Sequence, residues 1–402
     1  MSNLLINSLW LKGFLSFGPE SQEVGLTGLN VLIGPNGVGK SNFIEALELL
    51  HAAPTDFAGA VRLGGLPSNW IWHGSQGAAS ARIEAGLAVA GETPAMRYAI
   101  EFMQVADRLE ITDEMLEDAA VTQTPGRPLF YYRLRGQNKE PTLSARQPAT
   151  GTTNPLVCVP RIVRVNPQQS ALSQFKDPVS YPEFSAVAGS LRSIQIFREW
   201  SFGRTNLLRT PQPANLPTES LLPQLNNLGL VLSELEQHTD AWNRFTEQVR
   251  RFLPRFQRLT IKPAGGAVQI FLHESGLGVP VPASRLSDGT LRFLCLLAIL
   301  VGASQAPLIC IEEPELGLHP DAISILADLL IEASAKTQLV VTTHSDALVS
   351  ELSEHAESVL VCDYLENGTT LQRMESQKLR HWLKDYRLGD IWRAGKLGGN
   401  LW

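Results

Sequence analysis

Residues 34–41, with the sequence GPNGVGKS, have the composition of a phosphate-binding loop and match the pattern G-x-x-x-x-G-K-[ST] in full. Glycines let backbone N–H groups turn inward around phosphate oxygens, and the N-terminus of a following helix adds partial positive charge. We expect Lys40 to reach the β- and γ-phosphates of a nucleotide, in binding and in catalysis, and Ser41 to coordinate Mg²⁺. The residues predicted to contact the nucleotide are Gly34, Asn36, Gly37, Val38, Gly39, Lys40, Ser41 and Asn42.

A second set of residues has the chemistry needed to activate water. Residues 308–313 (LICIEE) form an apolar run that ends in two carboxylates, and an α/β sheet presents its ligand-binding groups at this end of a strand. Two adjacent carboxylates can have different roles in hydrolysis. Glu312 would hold Mg²⁺ through water, and Glu313 would orient and deprotonate the attacking water. The alternative is a solvated acidic turn at the strand end, and a P-loop in the same chain makes that alternative the weaker one.

Two shorter motifs are ambiguous when taken alone. Residues 286–290 (LSDGT) precede a very apolar helix, and Ser287 or Asp288 is well placed as its N-cap, so the motif can simply begin a core helix. His344 ends the apolar run 340–344 (VVTTH). A lone histidine at a strand end is more often structural than catalytic.

Strand and helix patterns surround these motifs. The P-loop stands between an apolar strand and an amphipathic helix, and the last third of the chain alternates strands and helices, which favours an α/β sheet with parallel strands. Residues 79–105 alternate in polarity as strands do, whereas residues 106–190 suggest loops around a few short strands. The predicted strands are 4–11, 29–33, 308–311, 339–342 and 358–362, and the predicted helices are 41–51, 220–237, 241–253, 321–335 and 346–352.

Charge is distributed unevenly, although the net charge is only −6. Residues 126–262 contain 18 Lys and Arg against 9 Asp and Glu, and the segments on either side are acidic. Such a basic block can contact DNA, in which case binding would depend strongly on salt. A solvated face, or salt bridges to the acidic segments, is the competing interpretation. The arginines in question are Arg133, Arg135, Arg161, Arg164, Arg192, Arg198, Arg204, Arg209, Arg250, Arg251, Arg255 and Arg258.

Composition places the chain among ordinary globular proteins. It has 402 residues, 44% of them hydrophobic and 18% charged, which allows two or three domains with a sizeable core. The apolar run 291–301 is too short to span a bilayer, and the N-terminus lacks the cationic start of a signal peptide. Four widely spaced cysteines without a CxxC pair favour reduced thiols and a cytoplasmic location.

The order of the motifs decides between the alternatives. A P-loop, then LSDGT, then a hydrophobic–Glu–Glu–Pro strand end, then a strand-terminal histidine resembles the ABC-ATPase superfamily. Residues 311–320 (IEEPELGLHP) look most like its RecF/OLD-like branch, the bacterial AAA-labelled predicted ATPases. Residues 11–17 (LKGFLSF) resemble the first strand of such heads, and residues 398–402 (GGNLW) resemble the tail of this branch. The resemblance covers residues 1–105 and 190–402.

The resemblance implies a fold of the α/β class: a P-loop NTPase of the ABC-ATPase head type, two-lobed, with a mostly parallel sheet and an inserted middle segment. It divides the chain into an N-terminal lobe at 1–105, an inserted basic segment at 106–262 and a C-terminal lobe at 263–402. It also implies that Ser287 and Gly289 contact the γ-phosphate of ATP bound to a second copy, which predicts a homodimer or higher oligomer.

The same resemblance assigns further residues. It makes His344 a sensor of the γ-phosphate that helps to position water, and it places Lys12 and Phe14 where the family approaches the base and ribose. Asp288 replaces a glycine common in transporters, and His319 stands where many heads carry an aspartate. The glutamine that links nucleotide to partner in such heads has no clear counterpart.

For that glutamine, Gln76 is the candidate, against the alternative of an ordinary loop residue.

The functional expectation is an ATP-binding and hydrolysing switch that dimerises around ATP with Mg²⁺. The resemblance suggests DNA maintenance, DNA repair or anti-phage defence together with a separate nuclease or effector protein. Relatives with a built-in nuclease have a long domain after the histidine, and residues 345–402 are too few for one. The alternative function is an ATP-gated module with negligible turnover that recruits a nuclease or effector, and a transporter motor subunit is disfavoured.

Overall fold

The chain forms two compact units in this computed structural model. Unit 1 comprises residues 1–194, 360–374 and 398–402, and unit 2 comprises residues 195–359 and 375–397. The residues that the structure describes are 4–74, 77–89, 95–119, 130–135, 140–148, 156–198, 200, 202–302, 306–379 and 381–398.

In the described chain, six consecutive strands occupy the middle of unit 1, and strands alternate with helices between residues 281 and 365. The strands are β1 (Ile6–Lys12), β2 (Val24–Gly25), β3 (Leu29–Ile33), β4 (Ala81–Leu87), β5 (Met96–Val105), β6 (Arg108–Asp118), β7 (Phe130–Arg135), β8 (Thr142–Pro148), β9 (Leu156–Ile162), β10 (Gln195–Phe197), β11 (Gln212–Pro213), β12 (Phe256–Ala264), β13 (Ala267–Glu274), β14 (Val281–Pro282), β15 (Leu308–Glu312), β16 (Gln338–Thr342), β17 (Val359–Leu365) and β18 (Gly368–Arg373). The α-helices are α1 (Lys40–Ala52), α2 (Phe57–Leu63), α3 (Ala171–Gln174), α4 (Pro182–Arg192), α5 (Leu228–Glu236), α6 (Thr239–Phe252), α7 (Asp288–Leu300), α8 (Asp321–Ser334), α9 (Asp346–Glu351), α10 (Ser376–Leu379) and α11 (Leu388–Arg393).

The larger sheet of unit 1 is antiparallel, with the strand order β2-β1-β4-β5-β6-β7-β8-β9. Ile83 and Ala85 on β4 are fully buried, as are Ile100 and Phe102 on β5. Within each strand the two residues are two positions apart, so their side chains lie on the same face of the sheet. That face packs against the core. The strands predicted within 79–105 are therefore confirmed, and the sheet continues beyond them.

A second group of strands in unit 1 precedes and flanks the P-loop. All five residues of β3 are buried, as expected for a strand whose two faces are both covered. β17 and β18 form an antiparallel hairpin next to it. α1 buries Phe43, Ile44, Leu47 and Leu50, the positions whose spacing predicted this helix.

Unit 2 contains the parallel strands β10, β15 and β16. Phe197 on β10 aligns with Ile311 on β15, and Glu312 on β15 aligns with Thr342 on β16. Residues 308–311 and all of β16 are buried, which is the apolar pattern typical of covered parallel strands. The α/β arrangement with parallel strands that the last third of the chain predicts is confirmed.

The predicted helix at 220–237 is wrong in its first half. α5 begins at Leu228, and the residues before it form a loop that the Asn227 side chain closes. Asn227 accepts a hydrogen bond from the N–H of Leu222 and donates to two backbone carbonyls before it. Pro223 also lacks the N–H that a helix interior needs, so local side-chain bonding prevails over apolar periodicity.

The domain boundaries at residues 105 and 262 remain predictions. Residue 105 ends β5, whose antiparallel partner β6 begins at Arg108, and residue 262 lies inside β12. The compact units divide after residues 194, 359, 374 and 397.

The structure bears on two apolar features of the sequence, its apolar runs and its cysteines. Among the described residues, no helix is long and apolar enough to cross a membrane. Cys295, Cys310 and Cys362 are buried thiols. Burial raises the pKa of the Cys295 and Cys362 thiols, so these side chains act as small apolar groups.

A buried carboxylate connects the β5–β6 hairpin of unit 1 to α3. Glu114 accepts hydrogen bonds from the Tyr98 hydroxyl at 2.8 Å, the Ser170 hydroxyl at 2.6 Å and the Ala171 N–H at 2.8 Å. Burial removes the carboxylate from water and raises the pKa of Glu114 to about 7 in spite of these donors.

We expect Glu114 to make the protein less stable as pH rises. Its pKa rises from 4.5 to about 7 on folding, so between these values the unfolded state binds fewer protons than the folded state. The contribution to the free energy of unfolding should fall by on the order of 3 kcal/mol across this range. Thermal unfolding at a series of pH values measures the effect, and Glu114→Gln should remove this share of the pH dependence. Identical pH dependence in parent and variant would contradict the assignment.

Candidate nucleotide site

Two glycines of the P-loop pass too close to other atoms to carry a side chain. Gly34 follows β3 with a φ of +150°, and a Cβ there would lie 2.5 Å from the carbonyl oxygen of Cys362. Gly39 is the N-cap of α1 with a φ of +103°, and a Cβ there would overlap the hydroxyls of Ser16 and Thr369. Glycine tolerates both the conformation and the close approach, which is why the pattern requires it.

The ammonium of Lys40 lies inside the loop. Its side chain is buried, and Nζ donates hydrogen bonds to the carbonyl oxygens of Gly34 at 2.7 Å and Pro35 at 2.8 Å. A buried cation needs such partners because it has lost its hydration. The positive charge is thus held in the loop that leads into α1, whose N-terminus also favours an anion.

Two residues to which the sequence assigned no site role support the loop. The Thr369 hydroxyl on β18 donates to the carbonyl of Val38 at 2.6 Å and lies 2.7 Å from the hydroxyl of Ser16. Asn42 Nδ2 donates to the same Ser16 oxygen at 2.8 Å. Thr369 is 331 residues from Val38 along the chain, so no local pattern could have revealed this contact.

The other predicted contacts in the loop differ in exposure. Asn36 and Gly37 are exposed, Val38 is buried, and Ser41 is half-buried at the start of α1. A ligand can therefore reach the middle of the loop, and the individual contacts remain predictions.

Lys12 and Phe14 follow one another closely but have different surroundings. The Lys12 ammonium lies 3.2 Å from the centroid of the Trp10 ring, a favourable position for a cation. Its pKa is lowered, first by burial and then by nearby arginines, against the opposing effect of nearby glutamates. Phe14 is fully buried, with its ring 5.9 Å from that of Trp70, so the ring is not open to a base. The role of Lys12 remains a prediction.

In unit 2, the structure brings together Glu313 and His344, the predicted general base and the predicted γ-phosphate sensor. Glu313 Oε1 lies 3.3 Å from His344 Nε2, and the side chains are 30% and 34% exposed. Glu313 has a φ of +46°, which is rare for a residue with a side chain, and its N–H donates to the carbonyl of Thr342 at 3.0 Å. Backbone strain of this kind concentrates at functional sites.

The Glu312 carboxylate is bonded by an arginine of the basic block. Because Phe197 aligns with Ile311, the next residue, Arg198, follows beside Glu312. Arg198 Nε lies 3.1 Å from Glu312 Oε2, and Trp200 Nε1 donates to the backbone carbonyl of Glu312 at 2.8 Å. The carboxylate predicted to bind a metal thus already pairs with a cation.

Glu315, to which the sequence prediction gives no role, contacts the backbone of His344 in the candidate site. It is buried, and its Oε1 accepts hydrogen bonds from the Thr343 hydroxyl at 2.5 Å and from the His344 N–H at 3.1 Å. Burial is the main cause that raises the pKa of Glu315. Its contacts hold the backbone that carries His344. The acidic run IEEPE was the available signal, but only contacts show which of its glutamates points inward.

The LSDGT motif begins α7 as a capped helix. Ser287 is the N-cap, and its Oγ accepts from the N–H of Thr290 at 3.1 Å. Ser287 and Asp288 are exposed, and Asp288 forms an ion pair with Arg209. A Cβ on Gly289 would lie 2.7 Å from the carbonyl oxygen of Gly317. The capped-helix interpretation is confirmed, and the exposed helix start leaves the second role open.

Arg292 links α7 to the acidic strand end. Its guanidinium is buried and donates to the carbonyl of Glu313 at 3.2 Å and to that of Trp200 at 3.3 Å. It also lies 5.2 Å from the ring centroids of Trp200 and Phe202. The helix that starts with LSDGT therefore contacts the backbone of the predicted general base.

Several arginines of the basic block are engaged inside their own unit. Besides Arg198 and Arg209, ion pairs join Arg133 to Glu117, Arg251 to Asp328 and Arg255 to Glu274. This supports, for these residues, the salt-bridge interpretation over the nucleic-acid one.

Of His319 and Gln76, the two positions where the resemblance has no exact counterpart, the described residues include only His319. The His319 side chain is 71% exposed and lies 3.3 Å from a carboxylate oxygen of Asp321. Gln76 lies outside the described residues.

The P-loop on β3 and α1, the Glu313–His344 pair and the LSDGT helix define a P-loop ATPase of the AAA/ABC type. A family model described as "AAA domain, putative AbiEii toxin, Type IV TA system" matches residues 29–141 and 169–350, and the chain belongs to this family. The fold class and the OLD-like ATPase head that the motif order predicts are confirmed.

Known proteins with similarity to the chain include a phage nuclease and Smc head domains. The chain is 35% identical over 130 residues to the Old nuclease of Escherichia phage P2, over 30% of this chain and 22% of that protein. It thus spans less than a quarter of that relative's length. The Smc head bound to the C-winged helix domain of ScpA matches with a TM-score of 0.57 and 15% identity, over 93% of this chain and 99% of that chain.

A Pyrococcus furiosus Smc head with an extended coiled coil, bound to the C-terminal domain of ScpA, gives a TM-score of 0.57 and 14% identity. That match covers 95% of this chain and 99% of that chain. At these identities the likeness to both heads concerns the fold.

Proposed function

We propose that this protein binds ATP through its P-loop, hydrolyses it with Glu313 as the general base, and works as a nucleotide-dependent switch. The observation that carries the proposal is the contact of 3.3 Å between Glu313 Oε1 and His344 Nε2 at the ends of adjacent parallel strands. A carboxylate bonded to an imidazole can accept a proton from water while the histidine keeps it oriented. The buried ammonium of Lys40 supplies positive charge for the phosphates.

Mg²⁺ suits the donors that the chain offers. Among the described residues, no cluster of three or more His, Cys, Asp or Glu groups is arranged for a metal. Mg²⁺ does not need one, because it usually keeps waters and binds one or two protein ligands together with substrate phosphates. Ser41 and Glu312 would hold it, and the pairing of Glu312 with Arg198 supports the view that this carboxylate accommodates a cation. The ion would neutralise phosphate charge during hydrolysis.

The proposed output is a dimer that closes around ATP and opens after hydrolysis. Support comes from α7, a long helix whose N-cap Ser287 is exposed. The N-terminus of such a helix attracts a phosphate, and a second copy bound to ATP would present one. Arg292 on this helix donates a hydrogen bond to the backbone carbonyl of Glu313. A movement of the helix on dimer closure would therefore be transmitted to the water-activating residue.

A change of charge at the N-cap tests the dimer. In a Glu313→Gln background that retains ATP, Ser287→Asp should remain monomeric with saturating ATP. Asp caps helices as well as Ser does, so the fold is retained, but its carboxylate repels the γ-phosphate. Light scattering after size-exclusion chromatography measures the state, and ATP affinity of the monomer should be unchanged.

Ser287→Asn is the matched control, since it caps the helix without adding charge, and it should still dimerise. A Ser287→Asp protein that dimerises with ATP as the Asn variant does would contradict the composite site.

For the biological role, we propose DNA maintenance or defence against phage together with a separate nuclease or effector. The similarity to part of a phage nuclease and the family's toxin description support this choice. Steady-state ATP turnover with and without single- and double-stranded DNA, at two salt concentrations, separates it from the alternative. A DNA-acting switch should be stimulated by DNA, more at low salt. Negligible turnover in every condition would favour an ATP-gated recruitment module.

A further inference from the structure

We propose that Arg198 competes with Mg²⁺ for Glu312: the guanidinium that pairs with this carboxylate leaves it when the metal ion binds. The inference rests on the proposed function, because it concerns the same metal ligand. It adds a residue that regulates metal binding and that the motifs do not reveal.

The position of Arg198 follows from strand register. β10 lies parallel to β15, and the pairs Gln195–Ile309 and Phe197–Ile311 set the alignment. The chain direction then carries Arg198 out of the sheet at the same edge as Glu312. The guanidinium Nε lies 3.1 Å from Glu312 Oε2, a charge-assisted contact.

The surroundings allow the pair to separate. The side chains of Arg198 and Glu312 are 25% and 17% exposed, so the guanidinium is within reach of water once released. The backbone at the strand end is held independently, because Trp200 Nε1 donates to the carbonyl of Glu312 and Arg292 donates to that of Glu313. Release of Arg198 therefore leaves Glu312 in place as a ligand.

The Arg198–Glu312 pair offsets the electrostatic repulsion between two adjacent carboxylates. Glu312 and Glu313 are adjacent carboxylates, and two like charges at one strand end disfavour each other unless a cation is near. The guanidinium of Arg198 supplies that cation. A metal ion must then replace an existing ion pair, which weakens metal binding at the carboxylate and favours metal that arrives together with nucleotide phosphates.

The test measures metal binding directly. Mn²⁺ is titrated into protein saturated with a non-hydrolysable ATP analogue, and free Mn²⁺ is counted by electron paramagnetic resonance. Arg198→Gln should lower the apparent Kd for Mn²⁺ by about tenfold, since a charge-assisted hydrogen bond no longer competes. Arg198→Lys retains the charge and should stay near the parent value.

Arg251→Gln is the matched control, because it removes another arginine–carboxylate pair of unit 2, that with Asp328 on α8. It should leave the Mn²⁺ affinity unchanged. As a second measurement, Arg198→Gln should lower Tm by about 2–4 °C in EDTA, and Mg²⁺ should restore it.

Two failures are distinguishable. Unchanged or weaker Mn²⁺ binding in Arg198→Gln overturns the competition, whatever the role of Glu312. Mn²⁺ binding that Glu312→Gln does not reduce overturns the assignment of the metal ligand in the proposed function, whatever Arg198 does.

Discussion

Replacing Glu313 with glutamine is expected to lower kcat for ATP hydrolysis by about 10²–10⁴-fold, the usual range for loss of a general base. The amide cannot accept the proton of the attacking water, whereas its size and its contact with His344 Nε2 are retained. The P-loop is untouched, so ATP affinity should stay at the parent value. ATP should then accumulate unhydrolysed, and the closed dimer with it.

Three measurements on Glu313→Gln separate chemistry from binding. Phosphate release gives kcat, fluorescent-nucleotide titration gives affinity, and light scattering gives the oligomeric state. Glu354→Gln, at an exposed glutamate in the same unit, controls for the substitution itself. Hydrolysis by Glu313→Gln at the parent rate would remove Glu313 as general base, even if the protein binds ATP and dimerises.

The second large effect is expected from Lys40→Ala, which should weaken ATP binding by at least about a hundredfold. The loss removes a buried cation whose hydrogen bonds to a charged phosphate are worth more than ordinary ones. The ammonium also donates to the carbonyls of Gly34 and Pro35, so truncation leaves these acceptors without that donor. Affinity and stability must therefore be measured together.

Lys40→Gln keeps a hydrogen-bond donor without the charge and distinguishes the two effects. It should preserve Tm better than Lys40→Ala while still losing most of the affinity. Lys262→Ala, at an exposed lysine on β12, is the matched surface control. Binding of ATP by Lys40→Ala at parent affinity would show that the P-loop is not the triphosphate site.

Some of the site was available from sequence because its geometry is local. The P-loop pattern requires glycine at positions 34 and 39. The structure shows both residues at positive φ, with no room for a side chain. The same holds for Ser287, whose place before an apolar helix marks an N-cap, and for β3 and β15, whose apolar runs mark covered strands. Local backbone preferences decide such features.

The sequence prediction is wrong where side-chain hydrogen bonds outweigh the preference indicated by a local pattern. Apolar periodicity predicted a helix from residue 220, but Asn227 bonds three backbone groups of the preceding loop and delays the helix to Leu228. The basic block was counted as one feature, although Arg251 and Arg255 each pair with a carboxylate in unit 2.

By itself, the sequence determined that the chain carries a P-loop, a strand ending in two carboxylates, and an α/β fold of the ATPase-head type. Only the tertiary structure decided which groups meet them: Thr369 at the loop, Arg198 at Glu312, and Glu315 beneath His344. The physical reason is that a motif depends on neighbours along the chain. These contacts depend instead on how strands from distant parts of the chain align, such as β10 with β15, and such alignment is a property of the whole sheet.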